Sequence, residues 1–503
     1  MSLQTIAEKT GYRATSTHAE VMAFIEQLAQ RQHRQLHVTN FGHTPDGREL
    51  PLLVLSSEGI THPAEAKKLG RPVVLLQNCI HAGEVEGKEA ALALVRDLLD
   101  GKHAGVLEKL TVLVAPIFNA DGNDAMDTAN RALEIDKLIG QDGPAKVGTR
   151  VNAKGINLNR DYIKHEAPEM RQLQTRVCQP WLPDLTVDSH ATNGSVHRFA
   201  MTHDIPHTME SGRIEPIAFM RETLVPEVSA AVKRNFGLDS GWYGNFVEDE
   251  RALDARGTAD PSAAIGEGWM TYPHHPRFGS NYRGLSNRLD LLLECYSYIT
   301  YEERVRTTYA WLSETLLAAA ARADQILQLL ATSRTPPDRI AVGYKLEAMP
   351  QPIEILTTQP RTRTGAPHAV TIPYLARFVG SHVVDRPRAY LVPGELAGFL
   401  RGHGLTVDDA PARATLEAAT FEGYAEEGAR AILEASTTGQ CKVSWRRAAR
   451  DVPAGAVMVK TDQPLGALAV YLAEPESDDG LVSNGLIQPP AVGGELPVFR
   501  VID

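Results

Sequence analysis

The 503-residue chain predicts an α/β fold: a mixed, mostly parallel sheet flanked by helices over residues 1–332, with a smaller, mainly β region after it. Three observations predict this. Apolar, strand-like runs alternate with helix-period patterns through the first ~330 residues, the pattern of βα units. Residues 333–338, with Pro336-Pro337, break both periods and read as a linker. Residues 339–503 then change to short β-like runs separated by turn residues.

The bulk numbers narrow the function classes. Hydrophobic residues make up 43% and charged residues 22%, as in ordinary globular proteins. The net charge is 51 − 62 = −11, which disfavours nucleic acid or an anionic membrane as a partner. No apolar run has the length of a membrane span. Four cysteines (Cys79, Cys178, Cys295 and Cys441) form no CxxC pair, so they neither demand nor exclude an oxidising compartment. No signal peptide is visible at Met1, and Met1-Ser2-Leu3 reads as a cloning remnant.

In chain order, residues 16–34 predict an amphipathic helix with Val21, Phe24, Ile25, Leu28 and Ala29 on one face. A turn at Pro45-Asp46-Gly47 precedes a strand at Leu50–Leu55. The run Val73-Val74-Leu75-Leu76 reads as a buried strand, followed by His81-Ala82-Gly83-Glu84 and then a helix carrying Ala90, Leu92, Leu94, Val95, Leu98 and Leu99. Leu110–Pro116 is a further strand, followed by a polar stretch, Gly155 through Tyr162, and a short helix at Pro168–Val177. The strand Leu185–Val187 leads to Asp188-Ser189-His190, and the run Leu289–Leu293 leads to Glu294. Helices are expected at 214–235 and from Tyr301 to Leu330, with a Gly- and aromatic-rich stretch from Gly241 to Tyr282 between them. In the last region, Pro352–Thr357, Ala369–Ile372 and Arg388–Val392 read as strands and Glu395–His403 as a short helix.

Polar groups therefore gather at strand ends, where α/β sheets build their sites. An imidazole and a carboxylate three residues apart, His81 and Glu84, can converge on one ion. His190 completes a His, Glu, His set with one position left open, the donor pattern of a catalytic zinc. His197 and His203 are rivals for the third place. Glu294, if desolvated at the crevice, suits general base work; Glu86, Glu89 and Glu166 are the next candidates. Arg150, Asn159 and Arg160 offer donors shaped for a carboxylate.

The ordered set His81-Ala82-Gly83-Glu84, Asn119-Ala120-Asp121-Gly122, Arg150 with Leu158-Asn159-Arg160, Asp188-Ser189-His190 and Leu293-Glu294 resembles the zinc metallocarboxypeptidases of the carboxypeptidase A/B kind. The resemblance covers about residues 10–330. It implies one zinc per chain on His81, Glu84 and His190, with Glu294 as general base. It implies an oxyanion arginine at Arg150, with Arg131 the rival, and a terminal-carboxylate grip at Asn159 and Arg160. The family's substrate tyrosine falls on Tyr272, with Tyr282 as the alternative. Asn157 stands where the family often has an aspartate orienting the first zinc histidine, which predicts a weaker support for His81. All these residues lie before Ser333, so the β region is expected to carry none of the chemistry. The resemblance implies peptide or protein C-termini as partners, and a bacterial subgroup often found outside the cytoplasm. Two other readings stay open: a zinc acylase acting on N-acyl amino acids, and an inactive peptide- or carbohydrate-binding relative.

Overall fold

The structure is a computed structural model; it describes residues 3–192, 194–249, 267–424 and 440–502. The stretch between Gly241 and Tyr282 therefore lies partly outside the described residues.

Among the described residues, the first region is built on ten strands: β1 (Leu36–His43), β2 (Glu49–Leu55), β3 (Val73–Asn78), β4 (Thr111–Ala115), β5 (Leu185–Thr192), β6 (Met201–Asp204), β7 (Ser240–Trp242), β8 (Asn245–Phe246), β9 (Trp269–Met270) and β10 (Leu289–Tyr296). Eight of them form one mixed sheet in the order β1-β2-β4-β3-β5-β10-β6-β7. Its centre, β4-β3-β5-β10, is parallel throughout; β2 and β6 join it antiparallel, and β1 pairs antiparallel with β2. β3, β4 and β5 are buried along their whole length; β3 and β4 therefore carry the continuous apolar runs Val73–Leu76 and Val112–Ala115, whereas β5 buries Asp188, Ser189 and His190.

The helices follow their sequence signals. Thr17 and Glu20 make a reciprocal capping box at the start of the helix His18–Gln30, whose buried face is Val21, Phe24, Ile25 and Leu28. Ala29, expected on that face, is exposed. The helix Glu86–Leu99 is buried on every side, charged residues included. Glu89 accepts from Ser16 N (2.7 Å) and Thr15 Oγ1 (3.0 Å), Lys88 donates to Asn123 Oδ1 (2.6 Å), and Glu86 faces Arg304 at 3.4 Å. Buried charges survive because each has a partner. The expected helix from Tyr301 to Leu330 is two helices, Tyr301–Ala321 and Ala323–Thr332, broken at Arg322 where φ is −112°.

The second region adds β11 (Arg339–Ala348), β12 (Ile353–Gln359), β13 (Ala366–Ile372), β14 (Tyr374–Asp385), β15 (Ala389–Pro393), β16 (Asp408–Asp409), β17 (Arg413–Tyr424), β18 (Cys441–Asp451), β19 (Ala456–Lys460) and β20 (Glu495–Val501). Six of these form the sheet β16-β19-β15-β20-β17-β18. The others reach back. β14 pairs with β9 in the sheet β11-β14-β9-β8, so one sheet contains strands from both sides of residues 333–338. The β12–β13 hairpin touches the loop after β5: Arg198 N donates to Leu356 O (2.8 Å) and Thr357 Oγ1 to Val196 O (2.7 Å). A continuous apolar core runs from Leu53 and Leu76 through to Ile340, Tyr390 and Leu472.

Candidate active site

β3 ends at Asn78, and the turn that follows carries His81 and Glu84 before the helix at Glu86 begins. Cys79 has φ +62°, which bends the chain out of the sheet direction. Gly83 is required by close packing: a Cβ there would stand 2.7 Å from Arg131 Cδ and 2.9 Å from Gly148 O.

His190 and Glu294 were expected just beyond strand ends. They stand inside the strands instead, because β5 runs on to Thr192 and β10 to Tyr296. The parallel register pairs Glu294 directly with His190 and Leu292 with Asp188. Directly opposed residues in adjacent strands project from the same face. The sheet itself therefore sets Glu294 beside His190.

His81, Glu84 and His190 converge. Each offers a ligand atom within 4.8 Å of the others, and all three are buried. His190 Nδ1 is 3.0 Å from Glu84 Oε2 and 3.2 Å from His81 Nδ1; His81 Nδ1 is 3.2 Å from Glu84 Oε1. Both Nδ1 atoms thus face the carboxylate, while the other ring nitrogens are held from behind. His81 Nε2 lies 3.0 Å from Asn157 Oδ1, so the amide at that position does orient the histidine, without adding a charge. His190 Nε2 faces Asp188 Oδ1 at 3.4 Å, long for a hydrogen bond; the other oxygen of Asp188 accepts from Arg283 Nη2 at 2.9 Å. Two imidazoles and a carboxylate form a zinc-type set of three donors, so the residues present fit the metal.

The electrostatics follow from this packing. Burial and the Arg150 guanidinium pull His81 down to about 4. Burial opposes charge on His190 as well, but Asp188 and Glu84 outweigh it and hold that imidazole well above the ordinary range. Burial would raise Glu84, yet His81, His190 and Arg131 hold it well below. Glu294 keeps some exposure, but its surroundings and the nearby Glu84 charge push its carboxyl up to about 8, against the pull of His190 and Arg150.

The two candidate arginines differ in how they are held. Arg131 Nη1 is 3.1 Å from Glu84 Oε1, and the same guanidinium donates to Gln141 Oε1 (2.7 Å), Ala191 O (3.2 Å) and Ser297 Oγ (3.1 Å). Arg150 Nη1 is 3.1 Å from His81 Nδ1 and 3.6 Å from Glu84 Oε1. Its side chain is 39% exposed against 13% for Arg131.

Asn159 and Arg160 lie on a short 3-10 turn, Leu158–Arg160, capped by Asn157. Asn159 Oδ1 accepts from Gly279 N at 2.9 Å, and Arg160 lies over the Phe278 ring at 3.8 Å. Tyr272 is buried; its hydroxyl donates to Ile205 O (3.0 Å) and its ring packs on Phe278, one ring away from Arg160. Tyr282 is turned to the second region, its hydroxyl 2.8 Å from His403 Nδ1. His197 packs at a tilt against Tyr296, and His203 packs between Trp242 and Trp311. Neither belongs to the ligand cluster. Glu86 and Glu89 are tied up within the core, and Glu166 pairs with Lys164 at 3.1 Å.

Two features escaped the sequence reading. One is the buried Arg283–Asp188–Asp290 group beneath His190, spread over three elements. The other is a second set of ligand-type atoms, on His274, His275 and Asp478, also within 4.8 Å of one another. There Asp478 already holds His274 Nε2 (2.7 Å) and the Tyr471 hydroxyl (2.5 Å). Adjacent histidines with no helical or strand period around them carried no signal.

Known proteins resemble this chain in the same terms. Residues 21–181 match the family model described as zinc carboxypeptidase, Peptidase_M14. Carboxypeptidase 2 of Trichophyton equinum is 24% identical over 530 residues, spanning 96% of this chain and 86% of its own length. Carboxypeptidase D of Mus musculus is 28% identical over 158 residues, spanning 27% of this chain and 11% of its own. Among solved structures, a metallo-carboxypeptidase from Burkholderia cenocepacia is similar over 61% of this chain and 70% of its own, with 18% identity and a TM-score of 0.40. The stretch that matches the zinc carboxypeptidase model carries His81, Glu84, Arg150 and Asn159-Arg160, while His190 and Glu294 lie beyond it.

Proposed function

We propose that this protein is a zinc-dependent carboxypeptidase that removes residues from the C-termini of peptides, with His81, Glu84 and His190 as the metal ligands. The observation that carries the reading is the convergence of those three side chains, with Glu294 fixed opposite His190 by strand register. A catalytic zinc, when bound, supplies a Lewis acid that polarises a carbonyl and makes water more acidic.

The chain's own groups do the rest. Glu294 takes a proton from the attacking water and delivers it to the leaving amine. Arg150, the more exposed of the two arginines, donates to the oxygen that gains charge in the transition state. Arg131 is a support: its guanidinium holds Glu84 in place. Arg160 and Asn159 bind the terminal carboxylate, Arg160 by a charge-assisted contact and Asn159 through its amide donors. Tyr272, packed on Phe278 beneath Arg160, lines the same side of the site.

The test is a digest of matched peptides, free acid and C-terminally amidated, by the zinc-loaded protein, with N-acetyl amino acids alongside. Strong preference for the free acids and release of single C-terminal residues is the expected result. Equal rates on both peptide forms would leave a hydrolase of another direction, and turnover of N-acetyl amino acids alone would make it an acylase.

A further inference from the structure

Three successive residues, Arg277, Phe278 and Gly279, join the carboxylate grip to the second region. Gly279 N donates to Asn159 Oδ1 at 2.9 Å. The Phe278 ring carries the Arg160 guanidinium at 3.8 Å. Arg277 is bound to Asp479, 202 residues further on. Its backbone N donates to Asp479 Oδ2 (2.8 Å), and its Nε and Nη2 donate to Oδ1 (3.0 and 2.5 Å). The pair is 1% and 0% exposed. Asn484 completes it, its Nδ2 donating to Asp479 Oδ1 at 2.9 Å and its Oδ1 accepting from Arg277 Nη2 at 3.3 Å. The residue before Asp479, Asp478, holds His274.

The segment has little room to shift. A Cβ on Gly279 would stand 2.8 Å from the Tyr162 ring and 2.9 Å from Arg283 Nη1. Tyr162 and Arg283 belong to the buried group behind His190, so the segment is packed between that group and the Asp479 clamp.

We propose that Asp479 is a positioning residue for substrate recognition: by fixing Arg277 it sets where Phe278 and Gly279 hold Arg160 and Asn159, so the C-terminal β region takes part in binding the terminal carboxylate. This rests on reading Asn159 and Arg160 as the grip. The physical ground is that a buried ion pair stripped of one charge leaves the other uncompensated, so the loop carrying it must move. A small misplacement of a binding group is enough to cost catalysis heavily.

The test compares full-length, zinc-loaded parent and Asp479→Asn, which keeps the shape and removes the charge. KM for a free-acid peptide should rise roughly tenfold to 10²-fold while kcat/KM for the amidated peptide stays within about twofold. Zinc content should match the parent. Glu474→Gln is the control: it breaks another buried pair of the same region, with Arg500 at 2.8 Å, and should lower the melting temperature without moving the free-acid preference. If Asp479→Asn is insoluble, Asp478→Asn should shift the preference in the same direction by less. A parent that prefers free acids while both variants keep that preference unchanged overturns the positioning role alone. A parent without the preference overturns the grip reading beneath it. Loss of zinc in Asp479→Asn, or an equal loss of preference in Glu474→Gln, would make the contact merely structural and overturn the proposal.

Discussion

The metal-type cluster and the carboxylate grip are built in opposite ways. His190 and Glu294 sit on neighbouring parallel strands, and hydrogen-bond register alone places them side by side. His81 and Glu84 follow one buried strand and are three residues apart. Asn159 and Arg160, in contrast, lie on a short irregular turn held by a loop, which is itself held by a buried ion pair from a distant part of the chain. A sheet fixes chemistry that must not vary. A loop under outside control fixes recognition, which can be changed by altering what grips the loop. Substitutions in the two places should therefore separate metal and turnover from substrate choice.

The largest effect should come from the cluster. His190→Ala should lose stoichiometric zinc and all measurable turnover, and chelation of the parent should do the same reversibly; retention of tight zinc by the variant would remove His190 from the ligand set. Next, Glu294→Gln should keep zinc and fold but lose ~10²–10⁴-fold in kcat, read by peptide assay beside metal analysis. A drop of less than about tenfold would mean that another group takes the proton.

A smaller effect is expected behind the cluster. Asn157→Ala removes the acceptor 3.0 Å from His81 Nε2. Zinc affinity should fall about 10–100-fold, measured by competition with a chelator. Asn157→Asp should tighten it; unchanged affinity in both variants would mean that His81 is oriented by other means. In the grip, Arg160→Ala should cost free-acid peptides a charge-assisted contact of about 1.5–3 kcal/mol and spare their amides, with zinc content untouched. Equal losses on both peptide forms would place Arg160 outside carboxylate binding.

The same contrast explains what could be read from the sequence. A run of apolar residues and a sudden change to His-x-x-Glu mark the end of β3 with no tertiary knowledge. Helices were legible from their apolar period, and the capping boxes at Thr17 and Thr300 add a local start signal that the period alone does not give. The apolar runs place His190 and Glu294 at strand ends, and those runs are shorter than the strands: the polar residues that end them in sequence are inside the strands in space. Hydrophobic pattern marks burial by apolar neighbours, and it fails where a strand is buried by partnered charges. The Arg283–Asp188–Asp290 group, Arg277 with Asp479, and the β14–β9 pairing across residues 333–338 depend on contacts between distant segments, for which one sequence has no period to show.

The central claim is that the metal sits with His81, Glu84 and His190. Anomalous diffraction at the zinc edge, on crystals of the zinc-loaded protein, tests it directly because it locates the ion. One peak per chain is expected, about 2.0–2.1 Å from His81 Nδ1 and His190 Nδ1 and about 2.0–2.2 Å from a Glu84 oxygen. A peak among His274, His275 and Asp478 with none at His81 would contradict it.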